Sequence, residues 1–416
     1  MFSVQQAEAL ILDLVKPLGS EVDVEIVSLQ QASGRLVAQP IVSSLDFPHW
    51  DNSAMDGYAV RWADIQNSQS EPLSLQVIEE IPAGCFPKKV VGLGQAAQIF
   101  TGAMMPEGAD TVVMQEQTQR EGDRVLILTP PKQSGSFVRC RGAFYRAGEI
   151  LLPPGIQLQA PDVAVLAAAQ CAQVTVYRCP RVVLLSTGDE LVGLTDPLGP
   201  GQIVDSNFYA LSDLVTRSGA VSLFHQIVAD RPEALKAAIA EAIRAGDLVI
   251  SSGGVSVGEY DYVETILQEL GATLHIRSVA MRPGKPLTVA TFPPTGDRPR
   301  TLLYFGLPGN PVSALVTFWR FVQPALKKLA GLTEGVSPLI ISAQTRQDLR
   351  SDGQRETYLW GRLVPQSTGI EFSLAGGSHS SGNLVNLAQT NALAVIPVGE
   401  TLIPAGEKVP VMMVGG

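Results

Sequence analysis

The stretches RVVLLSTGDELVG (181–193), DLVISSGGVSVG (247–258) and TLLYFGLPGNPVSA (301–314) share one plan: a short apolar run ending in a turn of glycines, prolines and hydroxyls. Helix-period segments lie between and beyond them, SNFYALSDLVTRSG (206–219), PEALKAAIAEAIRAG (232–246), YDYVETILQELG (260–271) and VSALVTFWRFVQPALKKLAG (312–331), with VSLFHQIVAD (221–230) and ATLHIRSVAM (272–281) as further strands. Continuously apolar strands alternating with amphipathic helices predict a parallel sheet covered on both faces by crossover helices. The loops after the strands of such a sheet gather at one edge, and ligands settle there.

The chemistry of those loops favours anions and cations together. In Ser186-Thr187-Gly188-Asp189-Glu190 the glycine permits a tight turn and leaves two carboxylates near solvent. These can bind Mg²⁺, orient a hydroxyl, or simply begin a loop. Ser252, Gly253 and Gly254 open a loop whose backbone N–H groups can approach an anion closely, without the lysine of a nucleoside-triphosphate loop. Asp261 just beyond serves equally well as a helix cap or as a metal ligand. In LPGNP, Pro308, Gly309 and Pro311 fix a turn ahead of a helix N-terminus. MRPGKP (281–286) holds Arg282 and Lys285 on a rigid turn suited to phosphate or oxyanion contact.

Outward from this region the text changes. MFSVQQAEALILDLVKPLG (1–19) has apolar residues at helical spacing and no basic leader, and reads as an amphipathic helix of a mature cytoplasmic chain. From 47 to 138 the segments GYAVRW, LSLQVIEEI, QAAQIFTG, DTVVMQE and DRVLILTP read as a small antiparallel sheet or barrel. Residues 139–178, with the helix PDVAVLAAAQ and the strand VTVY, read as a return to the first region. After Gly331, ETYLWGRLV, NALAVIPV and KVPVMMV are again short strands. The domains predicted are 1–46 with 139–178 (mixed α/β), 47–138 (β-rich), 179–330 (α/β) and 331–416 (a β-barrel-like domain).

Composition excludes several classes. With 45% apolar and 17% charged residues the chain is an ordinary globular one, and 416 residues divide among several domains at about 150 residues each. A net charge of −10 argues against a general nucleic-acid or membrane-surface binder, so an anionic substrate must be met locally. No apolar run approaches the roughly 20 residues of a membrane span. Cys85, Cys140, Cys171 and Cys179 have neither zinc-site nor disulfide-framework spacing and read as free thiols.

Two further motifs complete the reading. DNSAMDGY (51–58) packs Asp51, Asn52, Ser53 and Asp56 into one short turn, more polar groups than a bland turn needs. TGAMMPEGAD (101–110) presents Thr101 in either a structural or a substrate loop. With DNSAMDGYAVR, TGAMMPEGADTVVMQE, STGDEL, GQIVDSN, SSGGVSVGEYDYV, MRPGKP and LPGNPVSA in this order over nearly the whole length, the chain resembles the molybdopterin molybdenumtransferase family, relatives of the C-terminal domain of gephyrin.

The resemblance implies a homodimer of four subdomains per chain with a site shared between protomers. It implies an enzyme of molybdenum cofactor biosynthesis taking adenylylated molybdopterin and molybdate and, with Mg²⁺, giving molybdenum cofactor and AMP. Molybdopterin adenylyltransferase and molybdoenzyme apoproteins are the partners implied. Carried onto this chain, Ser53 and Asp56 fall in the molybdate and catalytic region, with Thr101 beside them. Asp189 and Lys285 are implied catalytic residues, and Asp189, Asp205 and Asp261 metal ligands. Glu190, Ser252, Gly253, Gly254, Arg282, Pro308, Gly309, Pro311 and Arg355 are implied in substrate binding. The chain departs from the pattern at Phe144, where the family carries an active-site Asp, and at Glu264 and Trp360, where basic residues are common. A molybdopterin adenylyltransferase and a non-catalytic molybdopterin-binding scaffold are the competing readings.

Overall fold

The computed structural model describes residues 1–414 other than 68–71, 254–261, 297, 299, 368 and 378. Its largest layer is a six-stranded sheet in the spatial order 221–228, 181–187, 248–252, 302–307, 286–292, 273–278. The first four strands are parallel, as predicted. Pro286–Phe292 runs antiparallel to both its neighbours, Leu302–Leu307 and Thr273–Ser278, because the chain turns back at MRPGK, so Thr273–Ser278 points the same way as the first four. Strands 248–252 and 302–307 are buried at every residue, the pattern of a sheet covered on both faces.

One face is covered by helices Pro232–Ala245 and Tyr262–Glu269, the other by Ser206–Arg217 and the helical run 311–329. That run was predicted as a single regular helix. It has a wider turn at Phe318–Val322, just ahead of Pro324, whose missing N–H interrupts the regular ladder. The first helix, Val4–Leu14, opens with Ser3 and Gln6 in a reciprocal capping box. Grouped above with the N-terminal domain, it instead buries Val4, Ala7 and Ile11 in the α/β core, and Glu8 pairs at 2.6 Å with the buried Arg320. Its apolar stripe found the nearest uncovered helical surface.

The N-terminal region is closed by the later segment: Val24–Ser28 pairs with Gln173–Tyr177 and Ile41–Val42 with Ile150–Leu152. The β-rich region is an open mixed sheet rather than an antiparallel barrel, in the order 111–114, 57–60, 95–99, 73–81, 124–127, 118–121. Leu73–Ile81 and Gln95–Ile99 run parallel, which the long connection between them permits. In the C-terminal region 356–366, 369–374, 340–345, 408–413 and 392–396 pair in sequence, and the last pairs back with the first, closing a five-stranded barrel. Met281–Arg282 adds in parallel to Glu356–Thr357, joining the MRPGKP turn to that barrel.

Ile11 is 1% exposed, so Ile11→Ala leaves a cavity between the first helix and the 311–329 run. The expected cost is about 2–5 kcal/mol, read as a lower denaturant midpoint of the transition that unfolds the α/β layer. An unchanged midpoint would show that the helix is not part of that core.

Candidate active site

The register of the parallel strands aligns Ser186 with Ser252 and Ser252 with Leu307, so Thr187, Gly253 and Pro308 leave the sheet side by side. They open into a 440 Å³ crevice also lined by Glu190, Asp205, Asn207, Asp230, Ser252, Gly309 and Pro311. Gly253 has φ +91°, and a Cβ there would lie 2.3 Å from the Thr187 carbonyl oxygen, so only glycine fits this approach. Asn207 donates to the Gly309 carbonyl at 2.9 Å, tying a helix start to a loop, while its own Oδ1 and the Thr187 hydroxyl are buried without a partner among the described residues. Such orphaned polar atoms in a crevice are costly unless a ligand satisfies them.

The acids cluster on one side. Asp189, exposed above the crevice, accepts the Asp230 N–H at 3.2 Å. Burial, and then the neighbouring charges of Asp189 and Glu190, push the Asp230 carboxyl above the usual range. Asp205 is buried and caps the following helix by accepting from the Phe208 N–H at 3.2 Å. Among the described residues no three carboxylate, imidazole or thiol groups are gathered as for a metal ion. The implied residues Gly254 and Asp261 lie outside the described residues.

The cations gather in an adjoining cleft of 1010 Å³, which meets the crevice at Pro286, Asn310 and Ser313. Arg282, Lys285, Arg350 and Arg355 line it, the first two from MRPGKP and the others from the barrel. Asp352 receives Arg282 at 3.0 Å and Arg355 at 3.5 Å. The Gln354 N–H, with Arg282 beside it, holds the Asp352 carboxyl below the usual range. Trp360 and His379 stand in the same cleft with ring centroids 4.4 Å apart. His379 Nε2 bonds the Ala375 carbonyl at 2.9 Å, and burial pushes its imidazole below the usual value.

Ser53, Asp56 and Thr101 line neither cavity of this chain. Asp56 is half-buried, and its Oδ1 accepts the Thr101 N–H at 2.7 Å and hydroxyl at 2.8 Å, which holds its carboxyl below the usual range. Ser53, placed above among the reacting groups, is fully buried. Its hydroxyl donates to the Met55 carbonyl and accepts the Met55 N–H at 3.3 Å, so in this conformation it shapes the loop and has no surface to offer a substrate. Phe144 is 63% exposed and rests against Phe47 at 5.8 Å. Glu264 pairs with Arg277 at 3.1 Å, and Trp360 belongs to the core. Asn207, Asp230, Asp352 and His379 were not singled out from the sequence, although Asn207 stands in GQIVDSN and Asp230 ends a predicted strand.

These features define a multidomain protein whose α/β layer sets a crevice of strand-end loops beside a cation-lined cleft shared with the C-terminal barrel. The chain matches, over residues 2–169, the family described as MoeA N-terminal region (domain I and II). It matches the probable molybdopterin binding domain over 183–328 and the MoeA C-terminal region (domain IV) over 342–414. It is 59% identical over 413 residues to the molybdopterin molybdenumtransferase of Nostoc sp. (strain PCC 7120), covering 99% of this chain and 94% of that one. The enzyme of the same name from Bacillus subtilis is 33% identical over 396 residues, covering 94% and 90%. Crystal structures of the molybdopterin biosynthesis MoeA protein from Pyrococcus horikoshii superpose with a TM-score of 0.82, at 30% and 28% identity and full coverage of both chains. The chain belongs to the molybdopterin molybdenumtransferase family.

Two variants test this geometry. Gly253→Ala should lower the melting temperature and displace the Thr187 loop, seen as altered amide resonances or exchange around 186–190; a native melting curve would mean that the close approach is dispensable. Asp230→Asn should raise the melting temperature of the metal-free protein at neutral pH. The raised carboxyl favours folding in its protonated form, an advantage present at acid pH and lost as pH rises through its folded value. The gain should therefore shrink as pH falls into the carboxylate range, and a gain independent of pH would refute the electrostatic origin.

Proposed function

We propose that the chain inserts molybdenum into molybdopterin, taking adenylylated molybdopterin and molybdate and releasing AMP as molybdenum cofactor forms. Family membership makes it a transferase of molybdenum cofactor biosynthesis. The observation that carries the finer reading is the joining of the two cavities: an acid-lined crevice with phosphate-binding loops opens directly into a cleft walled by four cations. A substrate with a phosphoanhydride and an oxyanion co-substrate needs both.

In this reading the Ser252–Gly253 and Pro308–Gly309 turns seat the phosphate groups through backbone dipoles. Arg282, Lys285 and Arg355 hold the oxyanion, and Asp352 Oδ2 gathers the two arginines. Asp189 and Asp230, adjacent across two strand ends, are the acids that would hold a divalent cation, which would offset the neighbouring charge that, after burial, raises the Asp230 carboxyl. Mg²⁺ bound there would neutralise phosphoanhydride charge. Asp56, preset by Thr101 but facing neither cavity of its own chain, fits a site completed across a homodimer. No helix among the described residues is long and apolar enough to cross a membrane, and the cytoplasm is the proposed location.

Exposed Phe144 favours a second reading, a molybdopterin-binding relative with weakened turnover, since an aromatic ring cannot hold a cation. Incubating the purified protein with adenylylated molybdopterin, molybdate and Mg²⁺ decides between them. Molybdate-dependent AMP release supports the enzyme, and tight binding without AMP supports the weakened relative. Asp56→Asn is expected to reduce that release about 100-fold or more, the scale of a lost charged group acting on a transition state, with melting temperature and subunit association unchanged. Full activity of the variant would make Asp56 a structural residue only.

A further inference from the structure

The opposite end of the α/β sheet holds a second, separate cavity. Arg181 begins one parallel strand, Asp247 precedes the next and Thr301 precedes the third, and all three rim a space of 300 Å³. By strand length this rim lies roughly 20 Å from the crevice. Five arginines line it, Arg178, Arg181, Arg244, Arg298 and Arg300, against two carboxylates, Asp23 and Asp247. The chain as a whole carries a net charge of −10, so this is a local reversal of sign.

The two carboxylates are already engaged. Asp247 takes Arg178 at 2.7 and 2.9 Å and the Arg181 N–H at 2.8 Å. Asp23 takes Arg178 at 2.9 Å, the Gly19 N–H at 2.9 Å, and Arg300. Arg178 thereby fastens the N-terminal segment to the sheet, which accounts for Arg178 and Arg300 but not for the rest. Arg298 gives its guanidinium to three backbone carbonyls, those of Ile243, Pro293 and Arg300, and meets no carboxylate among the described residues. Arg244, exposed in the last turn of its helix, meets none either. Arg181 is half exposed and only 3.7 Å from Asp247, so its fork is available. The Thr301 hydroxyl has no hydrogen bond among the described residues. Among the described residues five guanidinium groups face two carboxylates around this cavity, a positive excess that an anion would offset, and planar forks with a hydroxyl suit phosphate oxygens.

We propose that this cavity is a second anion site, taking the phosphate or diphosphate group of a small metabolite at the end of the sheet remote from the crevice. Its volume is at the lower end for small-molecule pockets, which fits the charged group of the ligand rather than a whole nucleotide. The contributing segments, 18–23, 178–181 and 244–247 with Arg298, Arg300 and Thr301, come from both sides of the Arg178 tie, so the bound anion also fastens the N-terminal segment.

Inorganic pyrophosphate titrated calorimetrically into the full chain, without Mg²⁺ and at low ionic strength, tests this. Lys285→Ala protein, with the cationic cleft weakened, should keep a saturable binding event. Arg181→Ala/Arg244→Ala should weaken that event about tenfold or more, the scale of a charge-assisted hydrogen bond, and added salt should weaken it further. Should the double variant melt early, Arg244→Gln alone, at an exposed helix end, carries the same expectation in smaller degree. Binding absent from the Lys285→Ala protein, or undiminished by the arginine variants in their folded state, overturns the proposal.

Discussion

The close approach of Gly253 to the Thr187 carbonyl underlies the geometry of the whole site. Three parallel strands end in register at Ser186, Ser252 and Leu307, and their loops can turn out side by side only if the middle one carries no side chain. The Gly253 N–H then bonds the Leu307 carbonyl at 3.2 Å, and a Cβ added at Gly309 would lie 3.5 Å from the Gly253 Cα. The crevice is the space left above this contact. Its walls are backbone and short polar groups, with Asn207 cross-linking the third loop to a helix start.

Charge is sorted by the same arrangement. Carboxylates from two neighbouring parallel strands, ending at Thr187 and Val228, meet at Asp189 and Asp230. Cations arrive from the turn before Pro286 and from the barrel. An acidic chain thus carries a short arc of arginine and lysine, with Asp352 gathering two of the arginines and the carboxylates of the crevice one cavity away. The segregation places opposite charge demands in adjoining rather than overlapping spaces.

Much of this was legible in the sequence because burial on both faces leaves continuous apolar strands, and strand-end turns announce themselves with Gly and Pro. The motif loops fell where that pattern placed them. What escaped depends on tertiary neighbours. The strand Pro286–Phe292 hides directly behind the MRPGK turn, and its antiparallel return is decided by which edge remains free. The stripe of the first helix predicts a partner without naming it. Asp230 is a solitary acid in the sequence and acquires its raised carboxyl only where the fold buries it and sets Asp189 and Glu190 beside it. Ser53 reads as a presented hydroxyl until the Met55 backbone claims it. The pairing of 1–46 with 139–178 was legible only in part, since strands 24–28 and 173–177 do close together while the first helix does not stay with them.

The MRPGKP turn belongs to two sheets at once. Arg282 is hydrogen-bonded into the barrel sheet and Pro286 begins a strand of the α/β sheet, leaving Pro283, Gly284 and Lys285 as the only chain between them. Such a short span has almost no slack. A force applied at Lys285 would pass along covalent bonds to both sheets, so the turn is a strut between the barrel and the α/β layer.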